Sequence, residues 1–275
     1  MADFLANDGL RLYYEDTGQG VPVLCLAGLT RNSRDFDFLA PHLSDCRMIA
    51  LDARGRGKSQ YDPTYANYNV MREAQDVADL LDHLGLDDTF VIGTSRGGLL
   101  AMILASGHRS RLRGAVLNDV GPEVDMAGLN RIVAYVGQPP QQNTLAEAAA
   151  FLESAMGPAF PGVSKERWLR IAAANYCETA DGLELLYDPM IRQAMLEQME
   201  AGPIGDLWPL FDAMQGLPLG VLRGANSDIL TQATLDRMHA RNPDMLSAVI
   251  PDRAHVPFLD EPNSLDLILR VLESK

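Results

Sequence analysis

Cysteine is scarce in this 275-residue chain: Cys25, Cys46 and Cys177 are odd in number and far apart. That excludes the disulfide framework of small secreted domains and fits reduced thiols buried as small hydrophobes. Positive charge is short as well. With 23 Lys and Arg against 37 Asp and Glu the formal charge is −14, which repels phosphate backbones and anionic lipid, so neither nucleic acid nor a membrane surface is an expected partner. Long apolar runs are missing: the greasiest stretch, residues 99–105, falls far short of the roughly 20 residues of a membrane helix. The opening Met1-Ala-Asp-Phe-Leu-Ala-Asn-Asp-Gly carries acids where an export signal needs bases, so the expected location is cytoplasmic. Internal repeats and low-complexity tracts are absent, and no His, Cys or carboxylate spacing matches a zinc or calcium site, so no metal or other cofactor is expected.

What is present is a chain 47% hydrophobic, enough to bury one large core. Short apolar or β-branched runs at residues 23–26, 47–51, 89–93, 112–118, 217–222 and 245–250 predict buried strands. Between them lie helical patterns. Residues 69–84 put Val70, Ala74, Val77, Ala78, Leu81 and Leu84 on one face, and 95–106 and 264–272 behave similarly. Strand then helix, repeated, implies an α/β fold with a mostly parallel sheet covered on both faces. The start differs: residues 9–17 alternate and Thr17-Gly-Gln-Gly-Val-Pro is a turn, predicting an antiparallel hairpin. Across 122–205 strand signals stop and helices are expected at 129–136, 145–156, 165–177 and 190–200, with Thr144 and Glu147 as a capping box and prolines, Pro203 among them, between the helices. This reads as a helical lid inserted into a core made of 1–121 and 206–275.

The strongest chemical signal is Gly93-Thr-Ser95-Arg-Gly97, where a strand stops and a helix starts. Such a turn lifts the Ser95 hydroxyl above the sheet and leaves no room for side chains two residues to either side, the nucleophile-elbow pattern. A hydroxyl becomes a nucleophile only when a base takes its proton. Of five histidines, His42, His83, His108 and His239 fall in or at the ends of predicted helices, whereas His255 follows the last strand, where open α/β sheets place their sites. The acid that orients it belongs between Ser and His in the chain. Asp228, after strand 217–222, is the favoured residue, and Asp119, after strand 112–118, is the competitor. Gly57-Lys58-Ser59 imitates the end of a phosphate-binding loop, but Asp52 stands where that loop needs glycine.

Together these residues resemble the α/β-hydrolase fold superfamily, specifically its lidded, cofactor-independent hydrolases. Besides the elbow, Asp52-Ala-Arg-Gly55-Arg-Gly57-Lys-Ser59 matches the group's Asp-x-Arg-Gly-x-Gly-x-Ser turn, and His255-Val-Pro-Phe-Leu-Asp-Glu-Pro262 is similar to its catalytic-histidine loop. The resemblance implies acyl-transfer chemistry on a small-molecule acyl substrate with water. It also implies an oxyanion hole made by the Leu29 and Arg96 N–H groups, although Ala27 stands where the family often has His. Arg31, Arg96 and Val256 flank the expected site. Arg31 and Val256 are candidate substrate contacts, and the two arginines could clamp an anion or pair with nearby acids such as Asp35. Serine at the elbow argues against the dehalogenases and epoxide hydrolases of this fold, which use aspartate. The expected activity is a serine esterase or lactonase, with a carbon–carbon bond hydrolase or cofactor-free perhydrolase as alternatives and a non-catalytic ligand binder as the rival of another class.

Overall fold

The computed structural model describes residues 2–202 and 205–274, so Pro203 lies outside the described residues. Eight strands make one sheet: β1 (Ala2–Leu5), β2 (Arg11–Gly18), β3 (Val21–Leu26), β4 (Cys46–Asp52), β5 (Thr89–Thr94), β6 (Leu112–Asn118), β9 (Leu219–Gly224) and β10 (Leu246–Ile250), in the order β1-β2-β4-β3-β5-β6-β9-β10. From β4 onward the pairing is parallel, and only β1–β2 and β2–β4 are antiparallel. Parallel neighbours need crossovers that return over a face of the sheet, and these are helical.

The alternation of side chains along a strand sorts the core into two layers. Leu24 and Leu26 of β3 join Val91 and Leu117 beneath helices α1 (Val70–Leu84) and α2 (Arg96–Gly107). Val23 and Cys25 point the other way, toward Phe90, Val116 and α9 (Pro262–Glu273). Helix α8 (Gln232–Arg241) connects β9 to β10, and α7 (Trp208–Asp212) returns the chain to the first layer through Trp208 and Phe211.

Two expectations need correction. A hairpin does open the chain, but it joins β1 to β2. The turn at residues 17–22 leads instead into β3, which pairs with β4 and β5 because its apolar residues can be covered on both faces only in the middle of the sheet. The segment 122–205 is not wholly helical either. It holds α3 (Met126–Tyr135), α4 (Leu145–Met156), α5 (Lys165–Asn175) and α6 (Ile191–Glu200), and also a hairpin of β7 (Tyr176–Thr179) and β8 (Gly182–Leu185). The helix expected to reach 177 stops at Asn175, since Tyr176 is already extended at φ −130°, ψ 149°. The hairpin turns at Ala180 and Asp181 into Gly182 at φ 118°, and the Asp181-Gly182 pair was a signal for it.

Two apolar seams hold this segment on the sheet. Phe160, Trp168 and Ile171 pack with Ala254 and Phe258, while Val136, Tyr187 and Ile191 pack with Tyr68 and Leu29. Among the described residues no helix is long and apolar enough to cross a membrane.

Candidate active site

Between the end of β5 and the start of α2 stands Ser95 alone, at φ 52°, ψ −115°, a conformation that a non-glycine residue adopts only when its surroundings enforce it. Ser95 N–H donates to the Asn118 carbonyl at 2.9 Å, and the Ser95 carbonyl accepts from the N–H groups of Gly98 (2.9 Å) and Leu99 (3.3 Å). The flanking glycines are required by space. A Cβ on Gly93 would lie 2.5 Å from the Gly97 carbonyl oxygen, and one on Gly97 would lie 2.0 Å from that of Leu26. A trans peptide directs N–H opposite to C=O. With the Ser95 carbonyl turned into the helix, the Arg96 N–H therefore points outward from the helix N-terminus, where it has no intrahelical partner.

The Ser95 hydroxyl lies 2.9 Å from His255 Nε2, and His255 Nδ1 lies 2.7 Å from Oδ2 of Asp119. If the Nδ1–H tautomer is assigned, the imidazole donates to the carboxylate and offers Nε2 as acceptor to the hydroxyl. Asp119 is fully buried, whereas the His255 side chain keeps 14% of its surface. The carboxylate is well supplied with donors: Gly224 N–H reaches Oδ1 at 2.8 Å and Ser227 Oγ reaches Oδ2 at 2.6 Å. Three donors on one carboxylate fix its plane.

The sequence favours Asp228 as the carboxylate that orients His255, and the geometry places Asp119 there instead. Asp228 pairs at 2.8 Å with Arg131 of α3, tying the insert to the sheet, and its side chain is 27% exposed. Strand order explains the exchange: β6 is the direct neighbour of β5, while β9 is one strand further out. The loop after β9 still serves the site, because Gly224 and Ser227 hold Asp119.

Leu29, Ser95 and Arg96 meet on the wall of one cleft of about 720 Å³, beside Val120, Met126 and Trp208. Arg31 and Val256 are not brought to it. They line a separate recess of about 30 Å³ behind the strand ends, with Thr94 and Asn118. Neither guanidinium stands free as an anion clamp. Arg31 Nε is 3.4 Å from Asp35, and Arg96 is bound edge-on by Glu73, Nε to Oε2 at 2.6 Å and Nη2 to Oε1 at 3.0 Å. Arg96 is the one basic residue among those described on the cleft wall, which also carries the acids Glu123 and Asp206. Glu123 is engaged by Trp208 Nε1 at 2.9 Å and paired with Arg237.

Three further residues escaped the sequence reading. Arg56, Glu73 and Ser227 are all polar residues whose partners lie far away in sequence. Of these, Arg56 sits in the Asp52–Ser59 motif, so a signal existed. Its Nε donates to the Leu29 carbonyl at 2.8 Å, and its Nη1 donates to Glu73 Oε1 at 2.9 Å. Glu73 lies on α1 and is 1% exposed. Burial pushes its carboxyl up, but the Arg56 and Arg96 guanidiniums together outweigh this and hold it below the usual carboxylate range.

Comparison with known proteins agrees with this architecture. A model of the alpha/beta hydrolase fold matches residues 21–262. A 3-hydroxybutyrate-oligomer hydrolase of Cupriavidus necator is 36% identical over 249 residues, covering 87% of this chain and 84% of that protein. A 2-(acetamidomethylene)succinate hydrolase of Mesorhizobium japonicum is 27% identical over 247 residues, covering 90% and 85%. Among solved structures, an alpha/beta hydrolase from Novosphingobium aromaticivorans superimposes with a TM-score of 0.91 at 42% identity, over 99% of this chain and 97% of that one.

Proposed function

Because this chain belongs to the alpha/beta hydrolase fold family, we propose that it is a serine hydrolase that cleaves a small-molecule carboxylic ester through an acyl-enzyme, with short oligomers of a hydroxyacid as the substrate class. The carrying observation is the hydrogen-bonded series Ser95–His255–Asp119, with Ser95 on the wall of a mostly apolar cleft. In the first half-reaction Ser95 Oγ attacks the ester carbonyl while its proton passes to His255 Nε2. The carbonyl oxygen, now negative, rests on the outward N–H groups of Leu29 and Arg96. The carbon–oxygen bond to the alcohol then breaks, and the imidazolium returns its proton to the leaving alkoxide. Water, deprotonated by the same imidazole, attacks the acyl-enzyme and releases the acid and Ser95. Asp119 keeps the imidazole in the productive tautomer and stabilises it when charged.

The hydroxyacid reading is supported by the activity named for the Cupriavidus necator relative and by the cleft's size and polarity. About 720 Å³ of mostly apolar wall suits several units of an ester chain. Its basic residue is already neutralised by Glu73, so the cleft receives the neutral body of the chain and leaves a charged carboxylate end in water. The segment 122–205, which supplies Met126, Leu129 and Met195 to the wall, acts as a cap over the acyl group.

The test is a fluorophosphonate label followed by a panel of p-nitrophenyl esters, lactones, a diketone and hydroxybutyrate oligomers. Labelling lost in Ser95→Ala and ester turnover in the wild type are expected. A folded protein that never labels would overturn the reading in favour of a binder, and turnover confined to the diketone would replace ester by carbon–carbon cleavage. Within the panel, esters with a neutral acyl chain are expected to exceed equally long carboxylate-tipped ones in kcat/KM by about tenfold or more, the worth of one unpaired charge in a partly buried site.

A further inference from the structure

We propose that Glu73 is the positioning residue of this site, holding through two arginines both of the backbone amides that receive the oxyanion. The inference rests on the serine-hydrolase reading and deepens it.

The two amides come from separate segments, the loop after β3 and the start of α2, and the β3–β5 ladder that sets their register ends at Leu26 and Gly93. Glu73 spans the gap. Its carboxylate grips the Arg96 side chain edge-on, at 2.6 and 3.0 Å, and so anchors the residue that follows the nucleophile. The same Oε1 accepts from Arg56 Nη1 at 2.9 Å, and Arg56 Nε donates to the Leu29 carbonyl at 2.8 Å. The same Nη1 also donates to the Arg54 carbonyl at 2.6 Å. On the Leu29 side the Gly28 carbonyl accepts from Arg31 N–H at 3.1 Å. The peptide joining Gly28 to Leu29 therefore turns its own N–H the opposite way, and the peptide after it is fixed by Arg56. Both planes flanking Leu29 are tied, one by a turn and one by the Glu73 network.

The arrangement is also rigid. Glu73 and Arg56 are almost wholly enclosed, each with 1% of its side chain exposed, and the Arg96 side chain keeps 14%. A bidentate guanidinium–carboxylate pair in such surroundings fixes direction as well as distance. Neither Glu73 nor Arg56 lines the cleft, so their influence on an oxyanion passes through the backbone of Leu29 and Arg96 rather than through contact with substrate.

The deciding experiment compares wild type with Glu73→Gln and Arg56→Lys in steady-state ester hydrolysis, inhibition by an alkyl boronic acid, the pH profile of kcat/KM and thermal melting. A boronic acid forms a tetrahedral adduct with Ser95 whose oxygen occupies the oxyanion position, so it reads the amides directly. Expected for each variant is a fall in kcat of about tenfold to a hundredfold, less than the loss of a whole donor. Expected with it are a KM within about threefold of wild type, a matching loss of boronate affinity, and an unmoved acid limb of the pH profile, since neither residue touches His255. Folded variants with kcat and boronate affinity near wild type would overturn the proposal, as would a rise in KM at constant kcat. Should Glu73→Gln fail to fold, Arg56→Lys decides by the same criteria, because it keeps the charge pair and removes the donor to Leu29. A wild type that neither labels with fluorophosphonate nor cleaves esters would instead overturn the serine-hydrolase reading, and this inference with it.

Discussion

Asp119 accepts from Gly224, Ser227 and His255 with one buried carboxylate, and the consequence is specific at the level of single substitutions. In Asp119→Asn an amide would meet His255 Nδ1, favouring the tautomer that no longer accepts the serine proton, and kcat is expected to fall by about 10⁴. Asp228→Asn removes only the contact to Arg131, which is 69% exposed, so kcat is expected to stay within a few-fold of wild type. Measuring kcat for both variants settles the acid, and a larger loss at Asp228 would reverse the assignment. Ser95 and His255 were legible in the sequence because their signals are local: glycines two residues to either side of the serine, and a loop directly after the last strand. The carboxylate that meets His255 was not, because its identity depends on which strand lies beside β5, and the order of strands in a sheet is a long-range property that no stretch of the chain spells out. Arg56 and Glu73, 17 residues apart, escaped for the same reason.

At the scale of elements, α3 approaches the sheet so closely that only glycine fits at the contact. A Cβ on Gly128 would lie 2.4 Å from the Asp228 carbonyl oxygen and 2.5 Å from Ile229 Cδ1, and the nearer obstacle is backbone. Gly128→Ala must therefore push the helix or the loop aside, an overpacking that costs about 1–3 kcal/mol. Met126, Leu129 and Ile132 of this helix line the cleft, so the displacement reaches the substrate and not the reacting atoms. The expected result is a melting temperature lower by about 2–10 °C and a KM raised about threefold to tenfold with kcat largely kept. A kcat loss without a KM change would show that α3 supports the chemistry rather than the pocket. The sheet strands were legible because buried parallel strands are nearly continuous apolar runs. The β7–β8 hairpin was not, because each strand has only four residues and the Leu183-Glu-Leu185 alternation in β8 is too short to stand out from the helical patterns around it.

Over the whole molecule the buried ion pairs beneath the site make stability depend on pH in a direction that can be worked out. The Glu73 carboxyl is held below its ordinary value of 4.5 in the folded chain, so folding favours its ionised form. Its contribution to stability is complete above that ordinary value and is lost as pH falls through the lower folded one. Asp35, Asp52 and Asp76 are shifted upward, each chiefly by burial, and act in the opposite sense: the folded state holds their protons more tightly than the unfolded chain does. The acid limb of the wild type is thus a sum of opposing terms, and a variant is needed to isolate one of them. In Glu73→Gln the site cannot ionise, so it resembles wild type only where Glu73 itself is protonated. The stability difference between the two proteins, read from urea midpoints between about pH 7 and about pH 3, is expected to be largest near neutrality and to shrink on acidification. A difference independent of pH would mean that Glu73 stabilises the fold by shape and hydrogen bonding alone. A difference that grows on acidification would mean that its folded carboxyl is shifted upward, in which case the two arginines do not outweigh burial.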